Sequence, residues 1–318
     1  MFSGWQFTAP HVPLQRVTKE DPVPEPGQVL VETRAAGLCH SDVGFLEGTV
    51  DWMLSTRPII LGHEVAGVIA ALGPEVEGWS VGDRVAIAGL GLDAPGLVAD
   101  GGFGQKLIAK VEQLISVPDS VPFDQAAAAT NAGQTARKAL RLAGVGPGTR
   151  VGIIGVGGLG LTGARMAVML GAEVYAAEVN EKAWDAAREA GVQRIEKTTA
   201  DLADLELDVF VDYAGFGTTT AQAITSVKDG GLVVQVGLGR SEATIDTAQL
   251  VAKQVTLVGS LGGSPEDTAD VIRLMGEGLT INTSRISFEE IPEGLERLQN
   301  GDVSGRLIAE YEPATTGI

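Results

Sequence analysis

The chain has 318 residues, 44% of them hydrophobic and 20% charged, with 23 basic against 41 acidic side chains and a formal net charge of -18. This length exceeds what one core usually fills, so two domains are expected, and the negative charge speaks against nucleic acid or an anionic membrane surface as a partner. No apolar run approaches the roughly 18–20 residues that span a bilayer, and the opening "MFSGWQFTAPHVPLQ" lacks the charged and apolar regions of a secretion signal, so a cytoplasmic protein is expected. The single cysteine, Cys39, excludes an intramolecular disulfide and a four-cysteine zinc lobe.

Short strand-like runs bounded by glycine and proline fill the first part: "QVLVETRAA", "EVAGVIAAL" and "DRVAIAG", separated by "PVPEPG" and "GPEVEGWSVGD". They predict an irregular β-rich domain. From Phe123 an alanine-rich helical stretch, "FDQAAAATNAGQTARKALRLAG", runs to the "GVGPG" turn. Strands and helices then alternate: "RVGIIGV", "GLTGARMAVMLG", "EVYAAEV", "EKAWDAAREAG", "DVFVDYAG", "TTTAQAITSV", "GLVVQVGL" and "VTLVGS". Alternation of this kind predicts an α/β domain, a doubly wound parallel sheet with helices on both faces. The tail, from "EDTADVIRLMGEG" to "GRLIAEYEP", mixes helix and strand again, with no internal repeat and no low-complexity stretch.

The segment "RVGIIGVGGLGLTGARMAVMLGAEVYAAEV" carries G-x-G-x-x-G at Gly155, Gly157 and Gly160, directly after an apolar strand and at the start of a helix. Gly155 permits the tight turn, Gly157 lets a pyrophosphate approach the backbone, Gly160 lets helix and strand pack closely, and Gly158 and Leu159 open the helix whose free amides would face the phosphates. Glu178, closing "EVYAAE", falls where a carboxylate accepts hydrogen bonds from the adenosine ribose and repels a 2′-phosphate, which favours NAD(H) over NADP(H). Lys182 is the only nearby cation that argues otherwise. The plainer reading is an ordinary strand-to-helix turn followed by a solvated strand end.

In the β-rich part, "GLCHSD" places Cys39 beside His40, Ser41 and Asp42, and "ILGHEVAGVI" places His63 beside Glu64. With the glycine loop downstream, these motifs resemble the zinc-containing alcohol dehydrogenase family of the medium-chain dehydrogenase/reductase superfamily, and the resemblance runs from "PGQVLVETRAAGLCHSD" through "GGFGQKLIA" to "GDVSGRLI". It implies a GroES-like catalytic domain built from both chain ends, residues 1–132 and 262–318, around an inserted Rossmann domain, residues 133–261. It also implies a zinc held in a cleft by Cys39 and His63, with Glu64 able to approach the metal, Asp42 as the carboxylate behind the ligands, Ser41 as proton carrier and Arg306 at the cofactor phosphates. The family's third ligand, usually cysteine, corresponds to Asn131 in "TNAGQT". An amide is a neutral, harder and weaker zinc ligand than a thiolate. Two further departures accompany it: the segment "VAIAGLGLDAPGLVADGG" leaves no lobe for a structural zinc, and Gly44 stands where the family often has a relay histidine.

Several functions therefore stay open. With zinc at Cys39, His63 and Glu64, the chain is an NAD(H)-dependent alcohol dehydrogenase, moving hydride between nicotinamide and an alcohol or carbonyl carbon. Without zinc, the same residues serve a reductase of conjugated C=C bonds, with Ser41, His40 or water as acid; a buried cysteine is otherwise a small apolar residue, and a His-Glu pair can satisfy itself. A third class is a non-catalytic NAD(H)-binding protein. Trp52 and Met53, in "GTVDWMLSTRPII", suggest an apolar wall for a hydrophobic small-molecule substrate, the alternative being that Trp52 packs into the core. Tyr213 and Trp184 read as packing residues. The resemblance implies a homodimer or homotetramer, paired through the apolar strand "QVTLVGS".

Overall fold

The computed structural model describes residues 1–89, 91–303 and 305–312. The chain divides into two compact units, one formed by Met1–Gln134 with Gly263–Ile318 and the other by Thr135–Gly262. The first opens with strands β1 (Phe2–Phe7), β2 (Gln15–Lys19) and β3 (Gln28–Leu38), then helix α1 (His40–Glu47), β4 (Ile59–Ile60), β5 (Glu64–Leu72), β6 (Arg84–Ile87), β7 (Lys106–Lys110), β8 (Leu114–Ser116) and α2 (Phe123–Ala128). A π-helical turn, Ala129–Gly133, follows α2, and α3 (Gln134–Leu142) leads into the second unit. There β9 (Arg150–Ile154), α4 (Gly158–Met169), β10 (Glu173–Ala177), α5 (Trp184–Glu189), β11 (Arg194–Glu196), β12 (Val209–Asp212), α6 (Thr218–Ser226), β13 (Leu232–Gln235), α7 (Thr247–Ala252) and β14 (Thr256–Gly259) alternate. The first unit is completed by α8 (Pro265–Gly276), β15 (Thr283–Ser287), α9 (Ile291–Gln299) and β16 (Arg306–Glu310).

The second unit is the doubly wound sheet that the alternation predicts. Its six strands are all parallel, in the order β11-β10-β9-β12-β13-β14, which is the arrangement of two mononucleotide-binding halves. The central strand β12 is buried at every residue and β9 at all but its first, because helices cover both faces of a parallel sheet and leave no polar side. Gly152 marks how closely β9 and β12 meet: a Cβ there would fall 2.3 Å from the Phe210 ring.

The first unit is β-rich and mostly antiparallel. A seven-stranded sheet runs β15-β16-β3-β5-β6-β8 with β7 also on β3, and a three-stranded sheet runs β2-β1-β4. One apolar cluster joins Val29, Val31, Val65, Ile69, Val85, Ile87 and Leu107, and a second gathers Phe7, Leu38, Phe45, Ile60 and Phe103. β3 and β5 form the spine between them, and the C-terminal end of β3 and the N-terminal end of β5 lie side by side through the pair Gly37 and Glu64. This pairing brings Cys39 and His63 together. The alanine-rich stretch differs from a plain helix: its middle widens into the π turn around Asn131, and such turns recur at functional positions. Among the described residues, no helix is long and apolar enough to cross a membrane.

Candidate active site

In the second unit the three glycines of the loop meet three different demands. Gly155, after β9, has φ +78°, a left-handed conformation that side chains disfavour. A Cβ on Gly160 would fall 1.7 Å from the Gly155 carbonyl oxygen, so only glycine lets α4 start this close to the strand. Gly157 is the N-cap of α4 and exposed, with no atom within 4 Å of where its Cβ would stand, and no side chain caps the helix there. Gly158 and Leu159, both half-buried, form the first turn of that helix, so its N-terminal amides can receive an anion. Glu178 follows β10 and binds the loop itself: its Oε2 accepts from the Val156 N–H at 2.8 Å and its Oε1 from the Asn180 N–H at 2.7 Å. Trp184, expected only to pack, donates from Nε1 to the Glu178 carbonyl at 2.9 Å and fixes the strand end. Lys182 is exposed. Tyr213 is half-buried against Gly163 and donates to the Ala136 carbonyl at 3.1 Å.

In the first unit β3 ends at Leu38 and Cys39 is the N-cap of α1. Asp42, fully buried, accepts the Cys39 N–H on Oδ2 at 2.9 Å, which fixes the cysteine backbone at the helix start. Its other oxygen, Oδ1, faces His63 Nδ1 at 3.5 Å, so the imidazole turns Nε2 toward Cys39. Glu64 is also fully buried, and it lies over β3 only because Gly37 lacks a side chain: a Cβ there would stand 2.3 Å from Glu64 Oε2. Cys39 Sγ, a ring nitrogen of His63 and a Glu64 carboxylate oxygen all lie within 4.8 Å of one another. The π turn delivers Asn131 to the same point, its Nδ2 standing 3.3 Å from Cys39 Sγ, 3.2 Å from His63 Nε2 and 2.8 Å from Glu64 Oε1.

Arg306 supplies the positive charge. It is buried, with Nη1 3.2 Å from Glu64 Oε1 and donating to the Leu38 carbonyl at 3.2 Å. The expectation of a phosphate contact for Arg306 does not include this inward pairing, which neither sequence spacing nor motif reveals. Burial alone would raise the Cys39 thiol, but the Arg306 guanidinium and His63 outweigh it and hold it at about 5; the start of α1 acts in the same sense. Burial works against a charged His63, yet the Asp42 carboxylate and Cys39 raise it well above its ordinary value. For Glu64 burial dominates, and despite Arg306 the carboxyl is pushed up to about 8.

The other expected residues are placed as follows. Ser41 is half-buried, with Oγ 3.6 Å from Cys39 Sγ, and His40 is exposed. Gly44 is buried on α1, where a Cβ would meet Val50 Cγ2 at 2.7 Å, so a larger relay residue does not fit there without movement of Val50. Trp52 is 72% exposed and does not pack into the core, whereas Met53 is half-buried against it.

A thiolate sulfur, an imidazole nitrogen and a carboxylate oxygen are the three protein donors that zinc takes. The second Glu64 oxygen is buried without a hydrogen-bond partner among the described residues. Donor chemistry and this unsatisfied oxygen fit a divalent cation held by Cys39, His63 and Glu64. A doubly wound sheet with an anion-receptive glycine loop, and a separate β-rich unit with a cluster of donors suited to a cation, together define the two-unit dehydrogenases.

Residues 25–119 match the alcohol dehydrogenase GroES-like domain, and residues 158–277 match the zinc-binding dehydrogenase domain. The chain belongs to the zinc-type alcohol dehydrogenase family of the medium-chain dehydrogenase/reductase superfamily, and it is an oxidoreductase. It is similar to an alcohol dehydrogenase of Geobacillus stearothermophilus, with 29% identity over 94% of this chain and 97% of that protein. Among solved structures it resembles the acetophenone reductase of Geotrichum candidum in complex with NAD, with 30% identity, a TM-score of 0.86 and coverage of 98% of this chain and 97% of that one. It also resembles the cobalt- and zinc-bound thermostable alcohol dehydrogenase of Pyrobaculum aerophilum, with 25% identity, a TM-score of 0.86 and coverage of 98% and 99%.

Proposed function

We propose that the protein is an NAD(H)-dependent alcohol dehydrogenase with one zinc at Cys39, His63 and Glu64 and no structural zinc. The observation that carries this reading is the convergence of the three donor atoms within 4.8 Å in the first unit, beside the buried Arg306. When bound, the metal polarises a carbonyl oxygen or lowers the pKa of an alcohol, and the nicotinamide takes or gives the hydride. Asp42 orients His63 and the Cys39 backbone, Arg306 offsets the negative charge of Cys39 and Glu64, and Ser41 carries the proton between substrate and water. Gly155, Gly157, Gly158, Leu159 and Gly160 take the cofactor pyrophosphate. Glu178, already bound to the loop, takes the ribose hydroxyls and disfavours a 2′-phosphate. The substrate is a small hydrophobic alcohol or ketone, a choice supported by Trp52 and Met53 and by the acetophenone reductase likeness.

The protein is read as a cytoplasmic homodimer or homotetramer without nucleic-acid or membrane partners, supported by its charge and by the uncovered edge of β14. One observation favours a second reading: Asn131 Nδ2 stands where a third ligand would, which suits metal-free reduction of conjugated C=C bonds. Plasma mass spectrometry of the purified protein, followed by assays of 1-phenylethanol and a conjugated enone with NAD(H), separates the two. Near one zinc per chain with alcohol turnover is expected. Near zero zinc with enone turnover overturns the dehydrogenase reading.

A further inference from the structure

Nδ2 of Asn131 touches Cys39 Sγ at 3.3 Å, His63 Nε2 at 3.2 Å and Glu64 Oε1 at 2.8 Å. One small atom thus contacts all three donors that would hold a metal. That atom is an N–H donor, whereas a ligand must present a lone pair. A side chain that merely replaced a lost ligand would turn its carbonyl oxygen to this point.

We propose that Asn131 is a latch that competes with a divalent, thiolate-accepting cation for Cys39, His63 and Glu64. The proposal rests on reading these three residues as metal ligands. In the closed state the two N–H groups of the Asn131 amide are shared among Cys39 Sγ, His63 Nε2 and Glu64 Oε1 and hold them together, which lessens the cost of leaving the cluster without a cation while Glu64 Oε2 stays unpartnered among the described residues. To admit one, the amide must break these contacts and either swing aside or rotate to present Oδ1, a neutral and harder donor than a thiolate. The cation therefore exchanges more readily than in a site closed by a second cysteine. The placement of Asn131 supports a side-chain motion. It is half-buried within the π turn, while its neighbours Ala129, Thr130, Ala132 and Gly133 are buried and hold the backbone.

The test uses the full chain and cobalt(II) chloride, whose thiolate charge-transfer absorption reports a bond to Cys39 independently of turnover. Wild type, Asn131→Cys and Asn131→Ala are titrated against a competing chelator, Cys39→Ser serves as control, and each is melted with and without cobalt. Even residues that only position ligands move metal affinity about 10–100-fold, so Asn131→Cys is expected to bind at least about tenfold more tightly than wild type. The gap in Tm between loaded and chelated protein is expected to be small in wild type and larger in Asn131→Ala, whose closed state has lost the latch. A purely structural asparagine would lower both forms of Asn131→Ala equally. Equal affinity of wild type and Asn131→Cys, or equal Tm gaps in wild type and Asn131→Ala, overturns the latch and leaves the metal site standing. No uptake by any variant, or cobalt bound as tightly by Cys39→Ser as by wild type, overturns the metal site and the latch with it.

Discussion

Asp42 acts through both oxygens, holding the Cys39 N–H with one and facing His63 Nδ1 with the other. Its charge makes His63 a better donor on Nε2, as carboxylates behind metal-bound imidazoles do. Asp42→Asn is expected to weaken zinc binding about 10–100-fold, read as zinc per chain after dialysis against graded buffered zinc; retention equal to wild type would show that His63 is oriented without it. Glu178 allows a parallel argument for the cofactor. A hydrogen bond to a charged group contributes about 1.5–3 kcal/mol, so Glu178→Ala should lower the ratio of kcat/KM for NAD over NADP on the order of 10–100-fold. An unchanged ratio would remove the carboxylate from cofactor choice. Cys39, His63 and Glu64 are legible in the sequence because each sits in a short motif at a strand end. The direction of the Asn131 amide and the Arg306–Glu64 pair are not, since both depend on chain segments far apart that only folding brings together. Gly37 is overlooked for the same reason, and for Gly44 the sequence marks only the missing relay histidine: their lack of a side chain matters only against Glu64 and Val50.

The elements vary in the same way. The glycine loop, β9, α4, β10 and β12 are readable because their apolar runs and turns are local and strong. β11 spans only Arg194–Glu196 and α7 only Thr247–Ala252, too short to show a period, and β2 is largely exposed, so none of the three is legible in the sequence. β14 is the edge of the parallel sheet, with Leu257 40% exposed and Leu261 just beyond it 75% exposed. An apolar edge with unpaired backbone groups invites a second strand. Leu257→Lys is therefore expected to shift the protein to a smaller species in size-exclusion chromatography with light scattering, and an unchanged mass would place the subunit contact elsewhere.

At the scale of the molecule, the charge of -18 bears on both stability and cofactor capture. Self-repulsion is felt most in the compact state, and salt shortens the Debye length to about 8 Å at physiological strength. Raising salt from about 10 mM to about 150 mM should therefore raise Tm and lower the KM for the anionic cofactor. A KM that rises with salt would point to local positive steering instead. The fold has one more consequence, for synthesis. The second unit is a single continuous segment, Thr135–Gly262, whereas the first needs Gly263 onward as well. β3 pairs with β16 along Ala35–Leu38, and Arg306 belongs to β16. As the chain leaves the ribosome, the cofactor-binding half can fold while β3 still lacks one neighbour and Glu64 its cation. Nascent chains stalled before β16 should thus carry a finished Rossmann sheet beside an unfinished partner, and it is the partner that a chaperone would have to shield.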